Sequence, residues 1–489
     1  MKIDANISFL FVYRGPYHCL RSPSGRAISA EVSGRHGLSC RRQAIQGVPP
    51  MVLTEEEQRM LDGDSGTAVK KAMEILVALG ESFGAERLVR TNNVHMAGSS
   101  VLVAEEAGTR FVEDIRAQGG NFVTRVTTNP TAIDPTKWKE IGIPESDEVM
   151  QRRLTAAYAG MGANSCNSCI PYLVGNNPRF GEHMAWGESS AVVFANSVCG
   201  ARTNREGGPS GLASALTGRT PEYGFHLKEN RYGSFLVKVE APLNDMTDYG
   251  TLGCFAGKIA GQDTPVFTGI PDNPTIEQLK ALSAALASSG SVSMFHAVGV
   301  TPEAPTVEEA FGGKDPEKVI VFGEAEKAET EAFLNKEPTD HVDWILVGCP
   351  NATVQEIREV ADALVDKKVH ADVALWVTTS GAMYAMAERV GYVETIEKAG
   401  GTVVRETCPF LARSRVIAPA KGYKTLTTNS AKMAFYAPGQ FGLSTHYGNL
   451  DRVMKAAING VWSLRSWMAA NSFSRAARLS PARPAARPS

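Results

Sequence analysis

A chain of 489 residues, 43% hydrophobic and 21% charged, is long enough for two or three packed α/β cores and has the composition of an ordinary globular protein. No apolar run approaches the ~18 residues that a membrane span needs, and a net charge of −2 gives no footing for nucleic-acid binding. The charge is unevenly placed: residues 1–50 carry seven Lys/Arg against two Asp/Glu, residues 461–489 carry five Arg and no acid, and the body between them holds 38 basic against 50 acidic residues.

Residues 1–50 are rich in Arg, Ser and Gly without a hydrophobic period, and read as an irregular basic extension ahead of a body that opens at Met51. The sharper alternative is a mitochondrial transit segment. The apolar run Ile7–Tyr13 is short and has no small-residue cleavage site after it, so no secretory signal is expected. With eight widely spaced cysteines, the body reads as cytoplasmic with reduced thiols. Thr54 and Glu57 make a capping-box pattern at the start of the body. Val69, Ala72, Met73 and Leu76 then fall at helical spacing, with Gly80 as the expected stop.

Strand-like and helical runs alternate from there. A first α/β lobe is expected over 51–300, a connecting segment with Pro302, Pro305 and Gly312–Gly313 over 301–340, a second α/β lobe over 341–460, and an Arg/Ala/Pro-rich tail over 461–489. The clearest stretch predicts strands at Trp344–Val347, Val373–Val377 and Thr402–Val404, with helices at Val354–Val365 and Ala382–Val390 between them. Repeated βαβ units imply parallel sheets with helices on both faces, an α/β class.

In the second lobe Cys349 follows one predicted strand, in the run Val347-Gly-Cys-Pro350, and Cys408 follows another, in Glu406-Thr-Cys-Pro409. Both sit just past the carboxyl ends of strands, where open parallel sheets build their sites. A lone cysteine is usually a small buried hydrophobe, but two in equivalent loops make a functional pair as good a reading. In the first lobe Cys166 and Cys169 form a C-x-x-C. Zinc would need two more close ligands, and no second C-x-x-C or H-x₃-H exists. A redox dithiol would normally open a helix, yet Pro171 follows. A three-cysteine site drawn from both lobes fits better: an iron–sulfur cluster on three thiolates leaves one iron open to substrate.

Arg202 and Arg205 lie beside Gly207 and Gly208, with Asn204 and Ser210 in the same run. Arginine grips a carboxylate at two points and glycine lets backbone amides approach an anion, so these six residues are candidates to bind a carboxylate substrate. A surface turn is the plainer reading of the same run. Thr427–Lys432 reads as a helix start capped by Asn429 or Ser430, and a helix N-terminus with Lys432 beside it is a ready anion site. Asn429 joins the substrate-binding candidates. His95 and His183 are candidate proton carriers. No P-loop is present, and Gly250, Gly253 and Gly257 have the wrong spacing for a dinucleotide fold.

The runs NSCIPYL (167–173), FGEHMAWGESSAVVFANS (180–197), GARTNREGGPSGLA (200–213), VGCPNA (347–352), ETCPF (406–410) and TTNSAKMAFY (427–436) together resemble the aconitase X catalytic domain, in order and across 51–460. The resemblance implies an aconitase-like fold of several α/β domains with parallel sheets around an iron–sulfur cluster, [4Fe–4S] or [2Fe–2S]. It places the ligands on Cys169, Cys349 and Cys408 and leaves Cys166, Cys199 and Cys254 in the core or near the site. It implies a hydro-lyase, with cis-3-hydroxy-L-proline as the expected substrate and mevalonate 5-phosphate as the alternative. A non-enzymatic, iron-responsive binding protein on the same fold is the reading from another class. The family's complete enzyme also carries a small swivelling domain, fused or as a separate subunit, which holds a serine base. Neither end of this chain is long or regular enough to be it, so a small-subunit partner is expected. Within the chain, Ser430, Lys432 and His95 are the candidate catalytic groups.

Overall fold

The computed structural model describes residues 50–336 and 339–462, which belong to one unit of the chain. The expectations for 1–50 and 461–489 therefore lie outside the described residues, except at Pro50, Val461 and Trp462. At the opening, Thr54 and Glu57 form the expected capping box, Glu57 N to Thr54 Oγ1 at 3.3 Å and Thr54 N to Glu57 Oε2 at 2.9 Å. The next helix, Thr67–Ser82, runs through Gly80 instead of stopping there. A Cβ at Gly80 would lie 1.9 Å from Met51 Cε and 3.2 Å from Pro221 Cβ. This glycine serves close packing against the chain's first turn, and the helix ends two residues later.

The first part holds β1 (Leu88–Arg90), β2 (Asn93–Met96), β3 (Arg125–Thr128), β4 (Ala185–Trp186) and β5 (Arg219–Pro221). β1 and β5 make an antiparallel ribbon; β3-β2-β4 is a parallel sheet. The second part adds β6 (Phe235–Val239), β7 (Pro265–Thr268), β8 (His296–Ala297) and β9 (Val319–Phe322), a separate parallel sheet in the order β8-β7-β6-β9. This departs from the expected organisation in two ways. The span 51–300 carries two sheets, and 301–340 is more than a connection because β9 pairs with β6 along four residues. The strand Val319–Phe322 is edge-placed and half exposed, so it has no strong apolar signature.

The third part is a five-stranded parallel sheet of β10 (Trp344–Ala352), β11 (Ala374–Thr379), β12 (Thr402–Arg405), β13 (Thr425–Thr428) and β14 (Ser444–Tyr447), ordered β12-β11-β10-β13-β14. Trp344–Val347 is fully buried, as expected of a central parallel strand covered on both faces. Helices Val354–Leu364 and Gly381–Arg389 fall where the periodicity places them. β10 is longer than predicted because its register shifts between Val347 and Ala352. Gly348 makes that bulge, with φ +95° and no room for a Cβ, which would meet the Thr378 carbonyl oxygen at 2.2 Å. Thr378 Oγ1 donates to the Gly348 carbonyl at 2.5 Å and Thr379 Oγ1 to the Ala352 carbonyl at 2.7 Å, so the distorted segment keeps its hydrogen bonds. The expected boundary at 460 is also too early: Val461 bridges His341, and Trp462 is buried, stacked 5.2 Å from the His446 ring under Arg452.

The parts share cores. Val101, Ala132, Ile133, Ile141 and Ile143 of the first pack with Trp344, Leu346, Trp376 and Leu426 of the third. A second cluster joins Ile170, Trp186 and Phe194 to Phe235, Leu252 and Phe295. The carboxyl ends of β3 and β12 meet along this packing: Thr131 N donates to the Glu406 carbonyl at 2.8 Å, Cys408 N to the Thr131 carbonyl at 3.0 Å, and Arg405 N to Asp134 Oδ2 at 2.9 Å. That seam sets where the site lies.

Candidate active site at the meeting of the strand ends

Three thiols converge at the seam. Cys349 lies in the β10 bulge, Cys408 just beyond β12, and Cys169 on the loop before the turn Pro171–Leu173. Each is close enough to another for their charges to interact: Cys169 with Cys408, Cys349 with Cys169, and Cys408 with Cys349. Burial pushes these thiols up to about 12 for Cys169, about 11 for Cys349 and about 12 for Cys408, so only a positive partner such as iron would draw out their protons near neutral pH. Asn351 joins two of the loops: its backbone N–H donates to Cys169 Sγ at 3.1 Å and its Oδ1 accepts from Cys169 N at 3.0 Å. Lys280, itself buried and paired with Glu356, donates to the Asn351 carbonyl at 3.0 Å and pins the bulge from the second part.

Cys166 is on the same loop as Cys169, but its Sγ donates to the Thr128 carbonyl at 3.4 Å. Cys254 is buried within the helix Met246–Ala260, and Cys199 packs against the core around Phe194. The thiols that approach one another are thus Cys169, Cys349 and Cys408. Among the described residues, no three His, Cys, Asp or Glu side chains gather tightly enough for a single metal ion. Three soft sulfur donors on separate loops instead suit a multi-iron group, whose ligands stand further apart.

Beside the thiols, two helix N-termini meet. Ser430 caps the helix Ala431–Phe441, accepting from Met433 N at 3.2 Å, and its hydroxyl donates to the Cys349 carbonyl. Its hydroxyl lies against both the carbonyl and the thiol of Cys349 and so helps hold the bulge. Glu188 caps the helix Ser189–Ser197, accepting from Ala191 N at 2.6 Å. Lys432 Nζ donates to Glu188 Oε1 at 3.0 Å and to Ser190 Oγ at 2.7 Å. Burial, the largest single influence, would lower Lys432, but Glu188 together with Cys349, Tyr436 and Cys169 outweighs it and holds the ammonium well above its ordinary value. Burial would likewise raise Glu188, and Lys432 with the Ala191 amide brings it below the usual carboxylate range. The helix start is thus not a bare anion site, because its lysine already has a carboxylate. Sequence reading missed Glu188, although an acid directly before the apolar run 191–195 has the pattern of a helix cap.

His95, fully buried on β2, bonds Thr127 Oγ1 through Nδ1 at 2.9 Å, while its Nε2 has no partner within bonding distance. Glu188 and Asn129 are its electrostatic neighbours, and Asn129 Oδ1 is similarly buried without a bond. Burial lowers His95 to about 4, so it is neutral at physiological pH.

The run 200–213 divides. Arg202 bridges His183 and Arg205 bridges Trp186, so 202–205 runs parallel to β4, with Arg202 at its amino end. Glu188 lies past the carboxyl end, roughly 16 Å of extended chain away. Arg202 Nη1 donates to the His226 carbonyl at 2.9 Å, and Asn204 clamps the Tyr223 carbonyl and Phe225 N, each at 2.9 Å. Arg202 thus stands at the amino end of the pairing, away from Glu188, and Asn204, next to the carboxyl-end pair, has its amide engaged with the backbone at 223 and 225. Arg205 Nη2 reaches the Val292 carbonyl at 3.0 Å. Gly207, Gly208 and Ser210 do reach the carboxyl end. They open the helix Gly208–Thr217, with Gly207 N on Ser210 Oγ at 3.0 Å and Gly208 packed against Gly98. Asn429 makes only a weak contact, Nδ2 to Met246 Sδ at 3.7 Å.

His226 and His446, both fully buried, are lowered by burial to about 3 and about 4, joining His95. In the unfolded chain each takes up its proton near 6.5. Between that value and 4 the unfolded state binds more protons, so stability is full above about pH 6.5 and is lost as pH falls through this window, by up to about 1.4 kcal/mol per pH unit for each histidine. Urea unfolding at pH 7.5 and 5.5 checks this; an unchanged midpoint would show that the three do not stay neutral in the fold.

Residues 50–229 match the family description "Aconitase X first domain", 233–332 match "Aconitase X second domain", and 342–459 match "Aconitase X third domain". The chain is 44% identical over 404 residues to the phosphomevalonate dehydratase large subunit of Methanothermobacter thermautotrophicus, covering 82% of this chain and 97% of that one. It is 35% identical over 407 residues to the cis-3-hydroxy-L-proline dehydratase of Pseudomonas aeruginosa, covering 83% of this chain and 69% of that one. The crystal structure of the Thermococcus kodakaraensis aconitase X holo-form superposes with a TM-score of 0.74 at 37% identity, over 83% of this chain and all of that chain.

Proposed function

The chain belongs to the aconitase X family of hydro-lyases, and from that premise we propose that it is the large, iron–sulfur-holding subunit of a two-part dehydratase acting on a small hydroxylated carboxylate. The observation that carries this reading is the convergence of Cys169, Cys349 and Cys408 beside the buried Lys432–Glu188 pair. When bound, an iron–sulfur cluster supplies a Lewis acid for the departing hydroxyl.

The chain's own groups do the rest of the positioning. Ser430, Asn351 and Lys280 hold the Cys349 bulge in shape. Lys432, charged and enclosed, has one ammonium proton beyond its bonds to Glu188 and Ser190, and we assign that proton to the substrate's carboxylate, with the amides at Gly207–Ser210 beside it. Glu188 keeps the lysine protonated and keeps the local charge balanced. That balance favours a substrate with one carboxylate over one that adds a phosphate, and cis-3-hydroxy-L-proline, giving Δ1-pyrroline-2-carboxylate, is the substrate we assign. Mevalonate 5-phosphate is the second reading. It is favoured by the higher identity to the archaeal large subunits and by their near-complete coverage.

Dehydration beside a carboxylate also needs a base for the α-proton. Ser430 is engaged with the Cys349 carbonyl and thiol, and Lys432 is held protonated. We assign the base to a small subunit, the counterpart implied by relatives named as large subunits, which closes over the strand ends and excludes water. The full chain, loaded anaerobically with iron and sulfide, is expected to turn over cis-3-hydroxy-L-proline at a trace rate alone. It should gain about 10²–10⁴-fold when the small subunit is added. Full turnover by the chain alone would overturn the two-part reading and make His95 or Glu188 the base; turnover of mevalonate 5-phosphate only would select the second substrate.

A further inference from the structure

Seven non-glycine residues among those described have left-handed backbone, and two of them stand two positions ahead of site cysteines: Asn167 (φ +44°) before Cys169, and Glu406 (φ +61°) before Cys408. Such residues persist only where their surroundings over-determine them, and they gather at functional sites. These two are bonded to each other. Asn167 Nδ2 donates to Glu406 Oε2 at 2.7 Å across 239 residues of sequence. Asn167, nearly fully buried, is held on its own side by Thr128, whose Oγ1 donates to Asn167 Oδ1 at 2.8 Å and accepts from Asn167 N at 3.2 Å.

Glu406 is held as firmly. Its N–H donates to the Thr379 carbonyl at 2.7 Å, and its carbonyl accepts from Thr131 N at 2.8 Å and Thr131 Oγ1 at 3.0 Å. Its carboxylate lies over the first residue of the helix Gly381–Arg389, where a Cβ on Gly381 would come within 2.5 Å of Oε1. A carboxylate at a helix N-terminus is electrostatically favoured, so the side chain has one well-defined place. Both the strain and the bonds converge on one contact between the loops that carry Cys169 and Cys408.

We propose that Asn167 and Glu406 form a tie between the first and third parts that sets the spacing of the Cys169 and Cys408 thiols, making them positioning residues for the cluster. The inference rests on the cluster reading above. Glycine tolerates left-handed backbone without a side chain, so Asn167→Gly and Glu406→Gly remove the tie while relaxing the strain. Glu406→Gln keeps an acceptor oxygen of the same reach. Gly381→Ala displaces the carboxylate while leaving the sequence of both loops unchanged.

The readout is the bleaching rate of the visible absorption of the anaerobically loaded full chain under excess chelator, beside the melting temperature of the iron-free chain. Asn167→Gly, Glu406→Gly and Gly381→Ala should each bleach about ten times faster than the parent, or more. The double Asn167→Gly/Glu406→Gly should bleach no faster than either single, because both remove one shared interaction. Glu406→Gln should stay close to the parent, and the faster bleaching of the glycine variants should exceed what their iron-free melting accounts for, since Asn167→Gly also gives up its Thr128 bond. Parent-like bleaching in both glycine variants and Gly381→Ala, or rates that multiply in the double, would overturn the tie. A parent chain that takes up no chromophore would overturn the cluster reading itself and the tie with it, a result distinct from a stable parent with unchanged variants.

Discussion

Serine in place of Cys169, Cys349 or Cys408 is expected to leave a folded chain with no visible absorption after anaerobic loading and no dehydration. Serine matches cysteine closely in volume, and all three side chains sit on loops fixed by backbone bonds that the change does not touch, such as Cys408 N to the Thr131 carbonyl. What changes is the donor. A hydroxyl is a harder ligand than a thiolate and far more reluctant to lose its proton, so it holds iron–sulfur groups poorly. Cys166→Ser should keep the chromophore, because its sulfur faces the Thr128 carbonyl instead of the other thiols. Circular dichroism separates loss of the cluster from loss of fold. A chromophore lost in Cys166→Ser but kept in Cys169→Ser would reverse the assignment on that loop.

The second large effect is at Lys432. Replacing it with methionine strands the Glu188 carboxylate, whose side chain is 7% exposed, without its cation. Removing one partner of a buried pair costs about 3–5 kcal/mol, because the other charge stays desolvated. Lys432→Met should therefore lower the denaturant midpoint sharply and abolish dehydration. Adding Glu188→Leu removes the stranded charge. Stability should then recover much of the loss, whereas activity should not return, since the group that meets the carboxylate is still missing. A double variant that regains turnover would reduce the pair to a structural role. An unchanged midpoint in the single variant would show that the pair is not buried as described.

Much of this could be read before the structure because local rules govern it. The strands and helices of 344–405 follow from apolar period and turn residues, and the Thr54–Glu57 box from two side chains three apart. Cys349 and Cys408 stood out because each follows a strand and precedes a proline. Cys169 did not stand out from Cys166 on spacing, since what distinguishes them is contact with Asn351, 182 residues away. Glu188 was passed over for the same reason, as its partner lies 244 residues on. The position of Arg202 at the amino end of its strand pairing was not legible, because composition says nothing about which end of a strand a residue occupies. Gly80 misled because a glycine that admits a neighbour looks the same as one that ends a helix. The half-exposed edge strand β9 and the docked Trp462 carry no period at all.

In the proposed function, thiolate-held iron and sulfide make this chain a dehydratase. The direct test is iron and acid-labile sulfide per chain, measured anaerobically in the presence of the small subunit, with dehydration followed in the same sample before chelation, after it, and after reloading. The expected result is near-equal iron and sulfide, about two to four of each per chain, with dehydration lost on chelation and restored on reloading. Undiminished dehydration by a chain stripped of iron would show that the reaction does not depend on it.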